Sequence, residues 1–198
     1  VHGRGRHRPG SRWHYSNFGG AVLGHALAAA TGTSWEQLLR HRVLAPLGLT
    51  ATGTSPGGSD ATGHRRDGHT PVPPLRMGGL QPAGAVRAAP HDLLRYLEAH
   101  LRPVAGAADA PLAAALHTVR RPLLRRGLRH RHTHTAGWFH HLTEHGPMLF
   151  HGGASFGQQA FLGFRPTTRT AVAAVCTRRF RRGDALLPTA YALLSDAL

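Results

Sequence analysis

Pro147-Met148-Leu149-Phe150-His151-Gly152-Gly153-Ala154 carries an apolar run straight into a pair of glycines. Pro147–Phe150 reads as a short strand, and glycines at a strand edge let another backbone or a ligand approach closely. Similar runs surround it: Trp138–Leu142 before, Gln158–Phe164 after, then the apolar, partly β-branched Thr170–Thr177. Arg165-Pro166-Thr167-Thr168 is the turn between the last two, and Asp184–Leu198 reads as a helix with Pro188 in its first turns. The final third of the chain is thus an antiparallel meander closed by a helix.

Towards the N-terminus helices replace strands. Asn17 precedes Phe18–Thr31, a small-residue apolar stretch closed by Gly32, which reads as a tightly packed helix. Ser34 stands three residues before Gln37, a capping-box spacing that starts a second helix, Trp35–Leu44, stopped by Pro46 and Gly48. A third helix runs from Pro90 to Arg102 with Leu93, Leu94, Leu97 and Leu101 on one face, and a weaker fourth covers Pro111–Val119. Between them Thr50–Pro82 is rich in Gly, Pro, Thr and Ser and reads as a long loop. Residues 1–8 read as a disordered basic arm. The remainder, 9–198, divides into a mainly helical part (9–135) and a sheet with the terminal helix (136–198). The class is α/β, in the α+β sense: an antiparallel sheet flanked by helices, plus a helical subdomain.

Composition excludes several chemistries. Of 198 residues, 24 are basic and 9 acidic, a formal charge of +15, and every basic residue other than histidine is Arg. Without lysine there is no Walker-type phosphate loop, no Schiff-base lysine and no lysine general base. The single Cys176 rules out an internal disulfide and a four-thiolate zinc site, and is best read as a buried small hydrophobe. No apolar run is long enough to span a membrane. Arginines cluster at 4–8, 120–131 and 178–182 with few aromatics between them, so the charge reflects a preference for Arg over Lys rather than base readout, and no specific nucleic acid is expected. His130, His132 and His134 alternate, but Arg129 and Arg131 between and beside them repel a cation, so neither metal nor cofactor is expected. Asp92, near a helix start, reads as a partner of the helix dipole.

Two short motifs carry chemistry. In Tyr15-Ser16-Asn17 a phenol and a carboxamide two residues apart sit on a turn entering a helix. The phenol is able to relay a proton, and the carboxamide to donate to a carbonyl and accept from an amide. The plainer alternative is a packed Tyr and an Asn N-cap. In His151-Gly152-Gly153-Ala154 the Ala154 amide is placed to meet a developing oxyanion, the alternative being a Gly-rich hairpin connection.

In their order and context these motifs resemble the superfamily of serine β-lactamases, penicillin-binding proteins and esterases, in its class C-like branch with D-Ala-D-Ala carboxypeptidases. The landmarks are Pro9-Gly10 leading to Tyr15-Ser16-Asn17, Ala45-Pro46-Leu47-Gly48-Leu49, Pro82-Ala83-Gly84 with Asp92-Leu93 after it, Gly137-Trp138, and His151-Gly152-Gly153. The resemblance implies that Tyr15 is the catalytic tyrosine and Asn17 the residue that binds the substrate amide. It implies that His151 takes the place of the lysine in a K-T-G triplet, with Gly152 and Gly153 beside the substrate and the Ala154 N–H as an oxyanion donor. The family's nucleophile is the serine of S-x-x-K, which a chain without lysine does not contain. The resemblance thus implies a partial domain without the N-terminal strands and the nucleophile helix, with a small-molecule or peptide substrate once complete. A non-catalytic binding domain of that fold and a basic nucleic-acid-binding protein stand as alternatives. Such a chain is expected to be marginally stable, with the terminal helix and one sheet edge poorly covered. A cooperative thermal transition of the isolated monomer above about 60 °C, near the upper end for ordinary domains, would show it to be self-sufficient.

Overall fold

The computed structural model describes residues 8, 11, 14–102, 110–126 and 132–196. Most of the expected basic arm, Pro9-Gly10 and His130 lie outside them. Helix α1 (Asn17–Thr31) starts one residue earlier than its composition suggests: Ser16, not Asn17, caps it, its Oγ accepting from the Gly19 amide at 3.0 Å. Nor is α1 tightly packed. Only Ala21 and Gly24 are buried, while Phe18 and Leu23 are 72% and 61% exposed. The buried stripe meets α3 (Gln81–Gly84) so closely that a Cβ on Gly24 would lie 2.2 Å from Pro82 Cβ. Pro82-Ala83-Gly84 is therefore the surface on which α1 rests.

The capping box forms as read, with Ser34 Oγ accepting from the Gln37 amide at 3.2 Å. Helix α2 (Trp35–Leu39) then widens into a π-helical turn, Arg40–Leu44. The long loop holds more structure than its composition indicates. It contains β1 (Thr52–Gly53), which pairs with β4 (Arg87–Ala88), and the hairpin β2 (Gly63–His64) with β3 (Pro71–Val72). Helix α4 (Pro90–Leu101) buries Leu97 but leaves Leu94 47% exposed, and α5 (Ala110–Thr118) follows. Asp92 does more than face a helix dipole. Its buried carboxylate accepts from the Ala51 amide at 2.8 Å and the Thr52 hydroxyl at 2.7 Å, fastening the loop to α4.

Six antiparallel strands follow: β5 (Leu124–Arg126), β6 (His132–His134), β7 (Phe139–Thr143), β8 (Gly146–Ala154), β9 (Gln159–Arg165) and β10 (Thr170–Cys176), in spatial order β10-β9-β8-β7-β6-β5. The boundary at 135/136 thus falls inside the sheet, since β5 and β6 already belong to it. These two pair without an alternating apolar pattern, as suits polar strands at an outer edge. Period-two alternation divides β8 and β9 between two cores. Leu149 and Phe164 pack with Leu97 and Trp138 on the α4 face, and Met148 and Phe161 pack with α6 (Leu186–Asp196) on the other. The terminal helix is better covered than expected. Ala190 and Leu194 are fully sealed, and the buried Arg165 guanidinium donates to the Leu194, Ser195 and His145 carbonyls at 3.4, 3.1 and 2.9 Å. Cys176 is only half-buried.

His100 of α4 is 3% exposed, stacked on Phe164 with ring centroids 4.8 Å apart and edge-on to Trp138 and Tyr96. Burial, reinforced by the Arg120 cation, pushes its pKa down from 6.5 to about 4. The folded chain then keeps this ring neutral while the unfolded chain protonates it, so stability is full above pH 6.5 and is lost as pH falls towards 4. We expect a loss of about 3 kcal/mol from this group across that window. Urea midpoints of the wild type and of His100→Phe at pH 7 and pH 4.5 check it: the variant should lose distinctly less stability on acidification.

Candidate active site

The site lies beyond the N-terminal start of β7. Its last pairing towards the β8 C-terminus is Phe139 with Phe150, whereas β8 and β9 pair as far as Ala154 with Gln159. His151–Ala154 therefore belong to the strand, not to a connection after it, and their second edge is unpaired among the described residues. The turn that leads into β7, and fixes where it begins, is set by Thr135. Its hydroxyl oxygen accepts from the Trp138 amide at 2.8 Å, and its own amide donates to the Trp138 carbonyl at 3.1 Å, while the Trp138 ring is held in the α4 core.

Direction along this edge follows from the ladder. The Ser155 amide donates across the β8–β9 turn to the Gln158 carbonyl at 2.8 Å. Backbone groups alternate sides along a strand, so Ala154 and Gly152 aim their amides at the open edge. Side chains divide the other way. A Cβ on Gly152 would sit 3.1 Å from Leu187 Cδ2 of α6, whereas nothing lies within 4 Å of one on Gly153. Gly152 is thus turned towards α6, and any contact it makes at the edge is through its backbone.

His151 stands on the opposite face. Its ring stacks on Phe139 at 5.4 Å and faces the Tyr15 ring at 6.1 Å, tilted 35°. Two motifs separated by most of the chain thus meet. Asn17, exposed, opens α1 two residues beyond Tyr15. Burial pulls the His151 pKa below its ordinary 6.5, a bond with the Gly152 backbone opposing this in part. The imidazole is accordingly neutral near pH 7, unlike the lysine of a K-T-G triplet. Phe139, on which this ring stacks, was missed in the sequence, where it reads only as the second residue of a strand. No group of three or more metal-ligating side chains occurs among the described residues.

A family model described as Beta-lactamase matches residues 4–196. The chain belongs to the beta-lactamase family. No curated protein matches it. Among solved structures, a beta-lactamase/D-alanine carboxypeptidase from Pseudomonas syringae is similar at TM-score 0.85 and 18% identity, covering 100% of this chain and 63% of its own. The D-alanine carboxypeptidase AmpC from Burkholderia cenocepacia gives 0.84 and 20%, covering 98% and 63%. A D-stereospecific amidohydrolase from a Streptomyces sp. gives 0.75 and 17%, covering 96% and 56%. This beta-lactamase family chain therefore spans about 54–63% of the solved structures it matches. It has the fold of those enzymes: an antiparallel sheet with helices on both faces.

Proton NMR checks the electrostatics. The His151 ring, assigned by comparison with His151→Gln, should titrate below 6.5. Phe139→Ala, by admitting water to the ring, should raise that midpoint. A wild-type midpoint above 6.5 would mean that the ring acts as a cation.

Proposed function

We propose that this chain supplies the tyrosine and strand walls of a serine acyl hydrolase site, and that its substrate is an amide or ester such as a β-lactam, a D-Ala-D-Ala peptide or a simple ester. The observation that carries the reading is the meeting of Tyr15 and His151 at 6.1 Å beside an unpaired strand edge. In this reading an acyl substrate lies along His151–Ala154, with Asn17 binding its amide. The Ala154 N–H donates to the oxyanion formed when a serine oxygen attacks the carbonyl carbon. Tyr15 exchanges the proton, first with the attacking serine and then with the departing amine or alcohol. Water hydrolyses the acyl ester by the same route in reverse, returning the serine.

The serine is not assigned to this chain. Ser16 is occupied as a helix cap, and the Ser155 oxygen accepts from the Gln158 amide at 3.1 Å within a turn. The sequence contains no lysine and hence no Ser-x-x-Lys, so in this reading that segment is supplied separately. That same fact supports a second reading, a binding domain of this fold that carries out no acyl transfer.

Labelling separates the two. The chain alone should form no stable acyl-enzyme with a fluorescent penicillin or a fluorophosphonate. Co-expression with the Ser-x-x-Lys-bearing N-terminal part of a class C relative should restore labelling, and Tyr15→Phe should slow it by about 100-fold or more. Stoichiometric labelling of the isolated chain would refute the missing nucleophile. A reconstituted pair that stays unlabelled, or is indifferent to Tyr15→Phe, would favour the binding domain.

A further inference from the structure

An apolar hollow of about 510 Å³ opens beside the unpaired edge of β8, within the range of small-molecule sites. The backbone of Gly152–Ala154 borders it, and Phe150, Phe161, Leu187 and Tyr191 line it on the α6 side. Phe139 lines it as well. Its ring lies 5.7 Å from Phe150 and 5.4 Å from His151, so the hollow is continuous with the Tyr15–His151 pair. The Tyr191 hydroxyl is hydrogen-bonded to His141 Nδ1 at 2.9 Å, and no side chain in the lining carries a charge. The remaining wall, Phe180, is held by a carboxylate. Asp184 accepts from the Arg181 amide at 2.7 Å and from Gln159 Nε2 at 3.1 Å, and it meets Arg178 at 2.7 Å. Gln159 pairs with Ala154 in the β8–β9 ladder, so residues 178–184 are tied to the strands that bear the open edge. Of the arginines in this segment, Arg178 is paired with Asp184 and Arg179 lies over the Phe156 ring at 5.6 Å; none lines the hollow.

We propose that this hollow takes an uncharged apolar group of the substrate, aryl or branched alkyl, so that the site prefers neutral esters or amides to those with a carboxylate on the α6 side. The assignment rests on the acyl-hydrolase reading of the β8 edge and selects among the substrates which that reading leaves open. With the scissile carbonyl at the Ala154 amide, a group projecting towards α6 meets Phe150, Leu187 and Tyr191 and frees water from their surfaces. A carboxylate in the same place loses its hydration and finds no cation among the described residues of the lining, an unfavourable exchange. His151 beside the hollow does not supply that charge, because burial holds its ring neutral near pH 7. A β-lactam antibiotic or a D-Ala-D-Ala peptide carries a carboxylate close to the scissile bond, whereas a simple aryl or alkyl ester carries none. The lining therefore favours the ester.

Amide NMR titration of the full chain with two probes of nearly equal shape, para-methylbenzyl acetate and para-carboxybenzyl acetate, tests this at about 0.15 M salt. The neutral probe should shift the amides of Phe150, Gly152, Ala154 and Leu187 and bind about tenfold more tightly than the anion. The net charge of +15 works the other way, attracting the anion to the whole surface, so a preference for the neutral probe reports the hollow itself. Phe180 is 41% exposed, so its replacement leaves the packed interior untouched. Phe180→Ala should weaken the neutral probe about tenfold, and Phe180→Arg should reverse the preference. Equal affinities, a tighter anion, shifts confined to other elements, no binding of either probe, or indifference to both variants would each overturn the proposal. Binding requires no serine, so the result is independent of acyl-enzyme labelling: an unselective hollow removes this assignment and leaves acyl transfer open, whereas a reconstituted pair that stays unlabelled removes acyl transfer whatever the hollow binds.

Discussion

Strand β8 outruns β7 by four residues, and the candidate site depends on that mismatch. Had β7 begun earlier, its backbone would have covered Gly152 and Ala154 and removed the open edge. What stops it is the fixed turn at Thr135–Trp138, whose hydroxyl and backbone bonds are formed while the Trp138 ring is drawn into the α4 core. Moving that turn would take a large aromatic side chain out of a packed interior, at a cost of about 3–5 kcal/mol. The edge is thus held open by hydrophobic burial one layer below it.

The two faces of β8 then do different work. Towards α6 it presents Met148, Phe150 and the bare backbone of Gly152, against which Leu187 packs. On the other face it presents Leu149 to the core and His151 to Tyr15. Because burial keeps the His151 ring neutral, the site lacks at this point the fixed cation that a lysine would supply. A neutral imidazole both accepts and donates a proton, whereas an ammonium only donates. In the proposed site a neutral His151 beside Tyr15 favours proton relay over charge stabilisation.

Much of this architecture is legible in the residues. The capping box at Ser34, the Leu stripe of α4 and the apolar β9 and β10 are local signals, and each forms the element it indicates. Others are invisible because their causes are not local. β5 and β6 are polar and become strands only by pairing with a neighbour, and α1 reads as packed because apolarity says nothing about what is available to cover it. Of the candidate site, the strand's glycines and the tyrosine turn stand out in the sequence. The meeting of Tyr15 with His151 depends on the whole fold, and so does the turning of Gly152 towards α6. The lone carboxylate of Asp92 looks like an ordinary helix-start residue until Ala51 and Thr52 are seen to donate to it.

The two walls of the site are not equally secure. The strand wall belongs to a sheet sealed on both faces, with Leu97, Met148, Phe164 and Leu194 wholly buried and Arg165 locking the end of α6. The tyrosine wall hangs on α1, which buries only Ala21 and Gly24; it is held by Gly20 and Gly24 against Ala83, Pro82 and Trp35, and by the His25 ring nitrogen on the Gly79 carbonyl at 2.7 Å. Its outer residues Phe18, Val22, Leu23 and Leu27 remain open to water. Regions with few buried apolar contacts open at lower free energy than the core they adjoin. Opening of α1 would carry Tyr15 and Asn17 away from a strand that stays in place, so the geometry of the site is governed by whatever covers the outer face of α1.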